Sequence, residues 1–121
     1  MKNLMTLILL FFAVSTYATQ ETGKLEIGDK AELTDIKMLD VSGEQVSIDD
    51  IKKENGVLVL FSCNTCPFVM RWEERYPGFK EYADKHGVGM IVLNSNYQNR
   101  DGDDSYQAMK KKANEKNYNF H

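Results

Sequence analysis

Two short apolar runs constrain this chain more than any other feature. Val57-Leu58-Val59-Leu60-Phe61 and Val88-Gly89-Met90-Ile91-Val92-Leu93 are continuously apolar and rich in β-branched residues. That is the pattern of strands covered on both faces, as in a parallel sheet. Parallel strands need a long crossover, and the segment between them supplies one. Val69, Trp72, Tyr76, Phe79 and Ala83 recur at three- and four-residue steps, which predicts a helix with that stripe turned inward, Trp72 included in the core. Pro77 falls inside the stripe and predicts a kink or split. Lys85-His86-Gly87 reads as the helix end, with Gly87 at the C′ position and His86 against the last carbonyls. Strand, helix and parallel strand make one βαβ unit of right-handed sense.

The flanks add smaller elements. Ala31 to Asp40 alternates apolar and polar residues, Val41-Ser42-Gly43-Glu44 is turn chemistry, and Val46 and Ile48 continue as a partner strand. An N-terminal β-hairpin is expected there. Ser47, Asp49 or Asp50 is placed to cap a short helical turn running to Lys53, which Asn55-Gly56 ends. Beyond the second apolar run, Asn94 to Asp104 reads as a polar loop. Asp103 or Asp104 would cap a last helix, with Tyr106, Met109, Ala113 and Asn117 facing inward and Lys110-Lys111-Lys112 forming a solvated face. Asn119-Phe120-His121 stand where a further strand is due.

The length of 121 residues allows one domain. Lys2 followed by the apolar run Leu4 to Val14, broken only by Thr6, has the form of a signal peptide, with Thr16-Tyr17-Ala18 as the cleavage site. The expected organisation is therefore a signal peptide over 1–18, a linker over 19–30 and an α/β domain over 31–121. A periplasmic or secreted protein follows, with no membrane attachment after cleavage. The net charge of −3 does not favour nucleic-acid binding. Export would also place the two cysteines where disulfides persist.

Those cysteines lie in Phe61-Ser62-Cys63-Asn64-Thr65-Cys66-Pro67, directly after the first buried strand and before the long helix. In an open parallel sheet that junction is the carboxyl edge, where ligands and chemistry collect. Pro67 suits the first helical position and makes Cys66 the N-cap. The free N–H groups of the first turn would then favour the Cys66 thiolate. Cys66 is assigned as nucleophile and Cys63 as resolving thiol, with the reverse assignment open. Asn64, Thr65, Pro67 and Asn94 are expected to line the substrate. An inert disulfide closing so short a ring would contribute only about 2 kcal/mol. A zinc or copper site would have two thiolates and only His86 and His121 as further soft donors. No closed metal site is therefore expected.

The Gly28-Asp29-Lys30-Ala31 segment, the Asp40-to-Gly43 turn, Cys63-Asn64-Thr65-Cys66-Pro67-Phe68-Val69 and Val88 to Asn96 together resemble the thioredoxin-like superfamily, in its redoxin or peroxiredoxin-like branch. The resemblance runs from about Leu25 to His121. It implies a thioredoxin-like βαβ core with an N-terminal β-hairpin, and thiol–disulfide or antioxidant chemistry without a dissociable cofactor. The partners implied are protein or small-molecule thiols and disulfides.

Three departures qualify it. Counted from Phe61, the first thioredoxin cysteine falls on Cys66 and leaves Val69 where the second would be. The peroxiredoxin threonine is absent three residues before either cysteine, where Leu60 and Cys63 stand. Pro67 and Pro77 are the only prolines, so the superfamily's cis-proline loop has no counterpart. The domain is thus expected to be an N-terminal portion, incomplete at its C-terminus, with an open sheet edge through which it would self-associate. The reading that results is an extracytoplasmic thiol–disulfide oxidoreductase, with a peroxide reductase or a copper- or zinc-binding thiol protein as alternatives. Arg71, Glu73, Glu74 and Arg75 read as ordinary surface.

Overall fold

The computed structural model describes residues 25–121. The expected signal peptide and residues 19–24 of the expected linker lie outside the described residues. Leu25 to Lys30 form a short exposed piece closed by a turn, in which the Asp29 N–H donates to the Glu26 carbonyl at 3.1 Å. Residues 31–121 are mixed α/β and are described below.

The hairpin is present but short. β1 (Met38–Leu39) pairs antiparallel with β2 (Gln45–Val46). The Asp40 carboxylate accepts from the Ser42 N–H at 2.8 Å, and Gly43 turns the chain at φ 100°, the left-handed geometry that glycine adopts without strain. The strand expected from Ala31 does not form before Met38. Leu33 itself has a positive φ of 56°, and the Ile36 N–H turns back to the Leu33 carbonyl. Helix α1 (Ile48–Ile51) follows at once. Ser47 is its N-cap, its Oγ accepting from the Asp50 N–H, and the Asp50 carboxylate accepts from the Ser47 N–H at 2.7 Å, so the two complete a reciprocal capping box.

The two apolar runs become β3 (Val57–Ser62) and β4 (Gly89–Asn94), parallel and paired in step from Val57 against Gly89 to Ser62 against Asn94. Gly89 is required where it stands. A Cβ there would come within 1.9 Å of the Ile51 carbonyl oxygen at the end of α1. The crossover is split as Pro77 predicts, into α2 (Pro67–Trp72), a 3₁₀ turn (Glu73–Arg75) and α3 (Tyr76–Lys85). Proline offers no N–H to the preceding turn, so regular α-helical bonding breaks there. Gly87 ends α3 at φ 65°, and the His86 ring nitrogen Nδ1 contacts the Tyr82 carbonyl at 2.7 Å.

The 3₁₀ turn also changes which residues face the core. With three residues per turn in place of 3.6, the apolar stripe slips. Tyr76 and Ala83 are buried as expected, but Trp72 is 55% exposed, with the Arg75 guanidinium 4.1 Å from its ring centroid. Glu73 is turned inward instead. The core gathers Tyr76, Ala83 and Met90, with Leu58, Leu60, Phe79, Val92, Tyr118 and Phe120 packed against them. β4 is well covered at its start, whereas Phe61 of β3 is 70% exposed. The two-sided burial expected of β3 is therefore only partial within the described residues.

The last helix, α4 (Tyr106–Glu115), is capped by Ser105, whose Oγ accepts from the Ala108 N–H. Neither Asp103 nor Asp104 caps it. Asn117 is exposed past its end, at φ 53°, and does not face inward. Beyond it the chain returns along β4, where the Val92 N–H donates to the His121 carbonyl at 2.6 Å. No helix among the described residues is long and apolar enough to cross a membrane.

Candidate functional site

The in-step pairing of β3 with β4 brings Ser62 and Asn94 side by side at the carboxyl edge of the sheet. Cys63 and the polar loop after Asn94 therefore meet at one place, with α2 leading away from it. Pro67 is the first residue of α2 and Cys66 its N-cap, with an extended backbone (φ −69°, ψ 122°). Proline restricts the residue before it to that region, so the sequence itself fixes the junction.

The two thiols differ in setting. Cys63 is buried and Cys66 half-exposed, and neither is in a disulfide. The N–H groups of Val69 and Phe68, in the first turn of α2, hold the Cys66 pKa below the ordinary thiol value, and the nearby Cys63 thiol adds to the effect, without a cap hydrogen bond closing on the Cys66 sulfur. The carboxyl-edge strand, the proline and the helix N-terminus together give a thiolate-favouring position on Cys66, with the Cys63 sulfur beside it.

Asn64, between the cysteines, is tied down from the loop before α4 and from α4 itself. The Asn64 N–H donates to Asp104 Oδ1 at 2.7 Å, its side-chain amide donates to the Asp103 carbonyl at 2.6 Å, and its own carbonyl accepts from Lys112 Nζ at 3.2 Å. Thr65 and Pro67 are exposed. Asn94 turns its amide onto Asp104 at 2.8 Å, and its Oδ1 accepts from the Asn96 N–H at 3.0 Å. It thus braces the loop, and it shares the wall of a cavity with Cys63.

Asp104 is 1% exposed. Burial pushes its carboxyl up, but N–H donors from Asn64, Asn94, Asn96 and Asn99 outweigh this and hold it below the usual carboxylate range. Glu73, also buried, pairs with Lys112 at 2.6 Å and Lys116 at 3.5 Å. The sequence alone points three of these residues elsewhere: Asp104 to a helix cap, Glu73 to the surface, and Lys112 to a solvated charge run. Helical spacing carries a signal for Lys112, since 109, 112, 113 and 116 share one stripe of α4. For Asp104 the sequence carries no distinguishing signal, since Asp101 and Asp103 follow the same Asn94, Asn96 and Asn99.

A cavity of about 590 Å³ opens beside Cys63, walled by Tyr76, Asn94, Tyr106, Met109 and Tyr118. Cys66 is not part of its wall. The Tyr118 hydroxyl is buried there without a hydrogen-bond partner, and burial, with the nearby Glu73 charge, pushes its pKa up to about 12. Among the described residues no three His, Cys, Asp or Glu side chains gather as metal ligands do.

No protein-family model matches the sequence, and no curated protein matches it significantly. Two solved structures are similar to it. An uncharacterised conserved protein from Geobacillus kaustophilus is 30% identical with a TM-score of 0.65, over 70% of this chain and 46% of that one. A hypothetical protein from Sinorhizobium meliloti 1021 is 23% identical with a TM-score of 0.63, over 71% of this chain and 47% of that one. The chain spans about half the length of the solved structures it matches.

Proposed function

We propose that residues 31–121 carry a thioredoxin-like core and that the protein acts outside the cytoplasm as a thiol–disulfide oxidoreductase through Cys63 and Cys66. The observation that supports this most directly is the pairing of a buried and a half-exposed free thiol at a helix N-terminus, with Cys66 held toward its thiolate by the N–H groups of Val69 and Phe68. The thiolate is the nucleophilic form, and a second thiol within reach is what lets a mixed disulfide be released.

In the forward direction the Cys66 thiolate attacks one sulfur of a substrate disulfide. A Cys66–substrate bond forms, the substrate S–S bond breaks, and one substrate thiolate leaves and takes up a proton. Cys63 then loses its proton and attacks the Cys66 sulfur. The intramolecular disulfide forms and the second substrate thiolate departs. Two electrons pass from the cysteine pair to the substrate; reversal oxidises a dithiol. The exposed side of the pair is Cys66, which suits a protein or small-molecule disulfide arriving from solvent.

The test is equilibration of the purified chain with glutathione redox buffers, followed by acid quenching and alkylation. A reversible dithiol–disulfide conversion, with Cys66 alkylated at a lower pH than an ordinary thiol, is expected. Two unperturbed thiols, or a bond that glutathione cannot open, would overturn the reading.

A further inference from the structure

The residues between two thiols help decide how closely they approach, and here one of the two, Asn64, is gripped from a distant part of the chain. The backbone N–H, the carbonyl and the side-chain amide of Asn64 are all engaged, by Asp104, Lys112 and the Asp103 carbonyl respectively. The two side chains doing the gripping are themselves fixed. Asp104 is 1% exposed; its Oδ1 also accepts from Asn94 at 2.8 Å, and its Oδ2 accepts from Asn96 at 3.2 Å and Asn99 at 3.5 Å. Lys112 is held by buried Glu73 at 2.6 Å. A buried carboxylate facing four amide donors and a lysine braced by a buried glutamate make rigid anchors.

We propose that Asp104 and Lys112 are positioning residues for the thiol pair, acting through Asn64 so that the loop between the cysteines is held with Cys63 beside Cys66 before any disulfide forms. The inference deepens the oxidoreductase reading and rests on it. Formation of the internal disulfide depends on the effective concentration of one thiol at the other, and a loop already ordered loses less freedom in the step. Loosening the grip leaves both sulfurs in place chemically but makes ring closure less favourable. The pair then becomes a stronger oxidant.

The reaction that reads this is reduced pair plus one oxidised glutathione giving the internal disulfide plus two reduced glutathiones. The two thiol protons pass to the glutathione sulfurs. Its equilibrium constant is measured on the full chain and on Lys112→Met, Lys112→Arg and Asp104→Asn, with urea unfolding of each in parallel. Ser47→Ala, a buried cap remote from the thiols, serves as a comparison for loss of stability alone.

The expected result is a roughly tenfold fall in the constant for Lys112→Met and Asp104→Asn, about 30 mV for this two-electron couple. Lys112→Arg should recover most of it, and Ser47→Ala should lower the urea midpoint with the constant unmoved. Constants within twofold of the parent in both loop variants would overturn the positioning role while leaving the oxidoreductase reading standing. A parent chain that does not exchange with glutathione would overturn both. Should Asp104→Asn fail to fold, Lys112→Met and its arginine rescue decide the matter.

Discussion

The lowered pKa of Cys66 comes from the backbone more than from any side chain. The N–H groups of Val69 and Phe68 are the main cause, with the Cys63 thiol a smaller contributor. Cys63→Ala should therefore raise the pH at which Cys66 becomes alkylated only part of the way to the ordinary thiol range. Iodoacetamide labelling followed by mass spectrometry across a pH series checks this; a complete return would place the main stabilisation on the Cys63 thiol. The sign for stability follows from the same shift. A thiolate favoured in the folded state adds stability that is fully present above the ordinary thiol pKa of about 8.5 and is lost as pH falls toward the lowered one. Urea midpoints of the reduced parent should accordingly rise with pH through that window, and those of Cys66→Ser should not.

Among the elements, the contact between α1 and β4 carries the clearest structural constraint. Gly89→Ala would drive a methyl group into the Ile51 carbonyl, and backbone can relieve this only by moving. A loss of about 3 kcal/mol in urea unfolding is expected, against about 1 kcal/mol for Ser47→Ala, which removes the α1 cap. The split crossover is the other feature that matters at this scale. The 3₁₀ turn before Tyr76 brings Glu73 inward to meet Lys112 and Lys116 on α4, so the helix that starts at the cysteines is tied to the helix that holds their loop. The stripe of Val69, Trp72, Tyr76 and Ala83 was legible in the sequence, as was the break at Pro77. Its effect on Trp72 was not, because a slip in helical phase follows from the hydrogen bonding of the turn and leaves no mark in residue spacing.

For residues 31–121 taken together, acid and exposed apolar surface set the expected behaviour. Asp50 is held down to about 2, first by Lys37 and then by Ser47, and Asp84, Glu74 and Asp104 are also lowered. Carboxylates whose folded pKa is depressed contribute stability that is present above their ordinary values near 4 and lost as pH falls toward the depressed ones. Urea midpoints should therefore decline between about pH 4 and pH 2, and a flat profile there would show that these pairs do not matter to folding. Phe61, Phe68, Met70 and Trp72 are all more than half exposed, and β3 pairs only with β4 among the described residues. An open edge beside such residues favours strand addition from a second copy. Sedimentation velocity should show concentration-dependent association that Phe61→Lys reduces; a monomer at all concentrations would count against it.

The sequence by itself determined the local chemistry. Two β-branched runs separated by a helical period leave little but a parallel pair with a crossover, and Cys66-Pro67 after the first of them leaves little but a thiol at a helix N-cap. These outcomes depend on neighbours along the chain, where sterics and hydrogen bonding act over a few residues. The tertiary structure alone decided what surrounds the thiols. Asp104 and Lys112 stand 40 and 48 positions beyond Asn64, and only the in-step pairing of β3 with β4 and the return of α4 bring them to it. An aspartate, a lysine and a glutamate look the same in sequence whether they face water or one another. Their roles come from burial, where a charge must find a partner or be costly, and burial is a property of the packed chain.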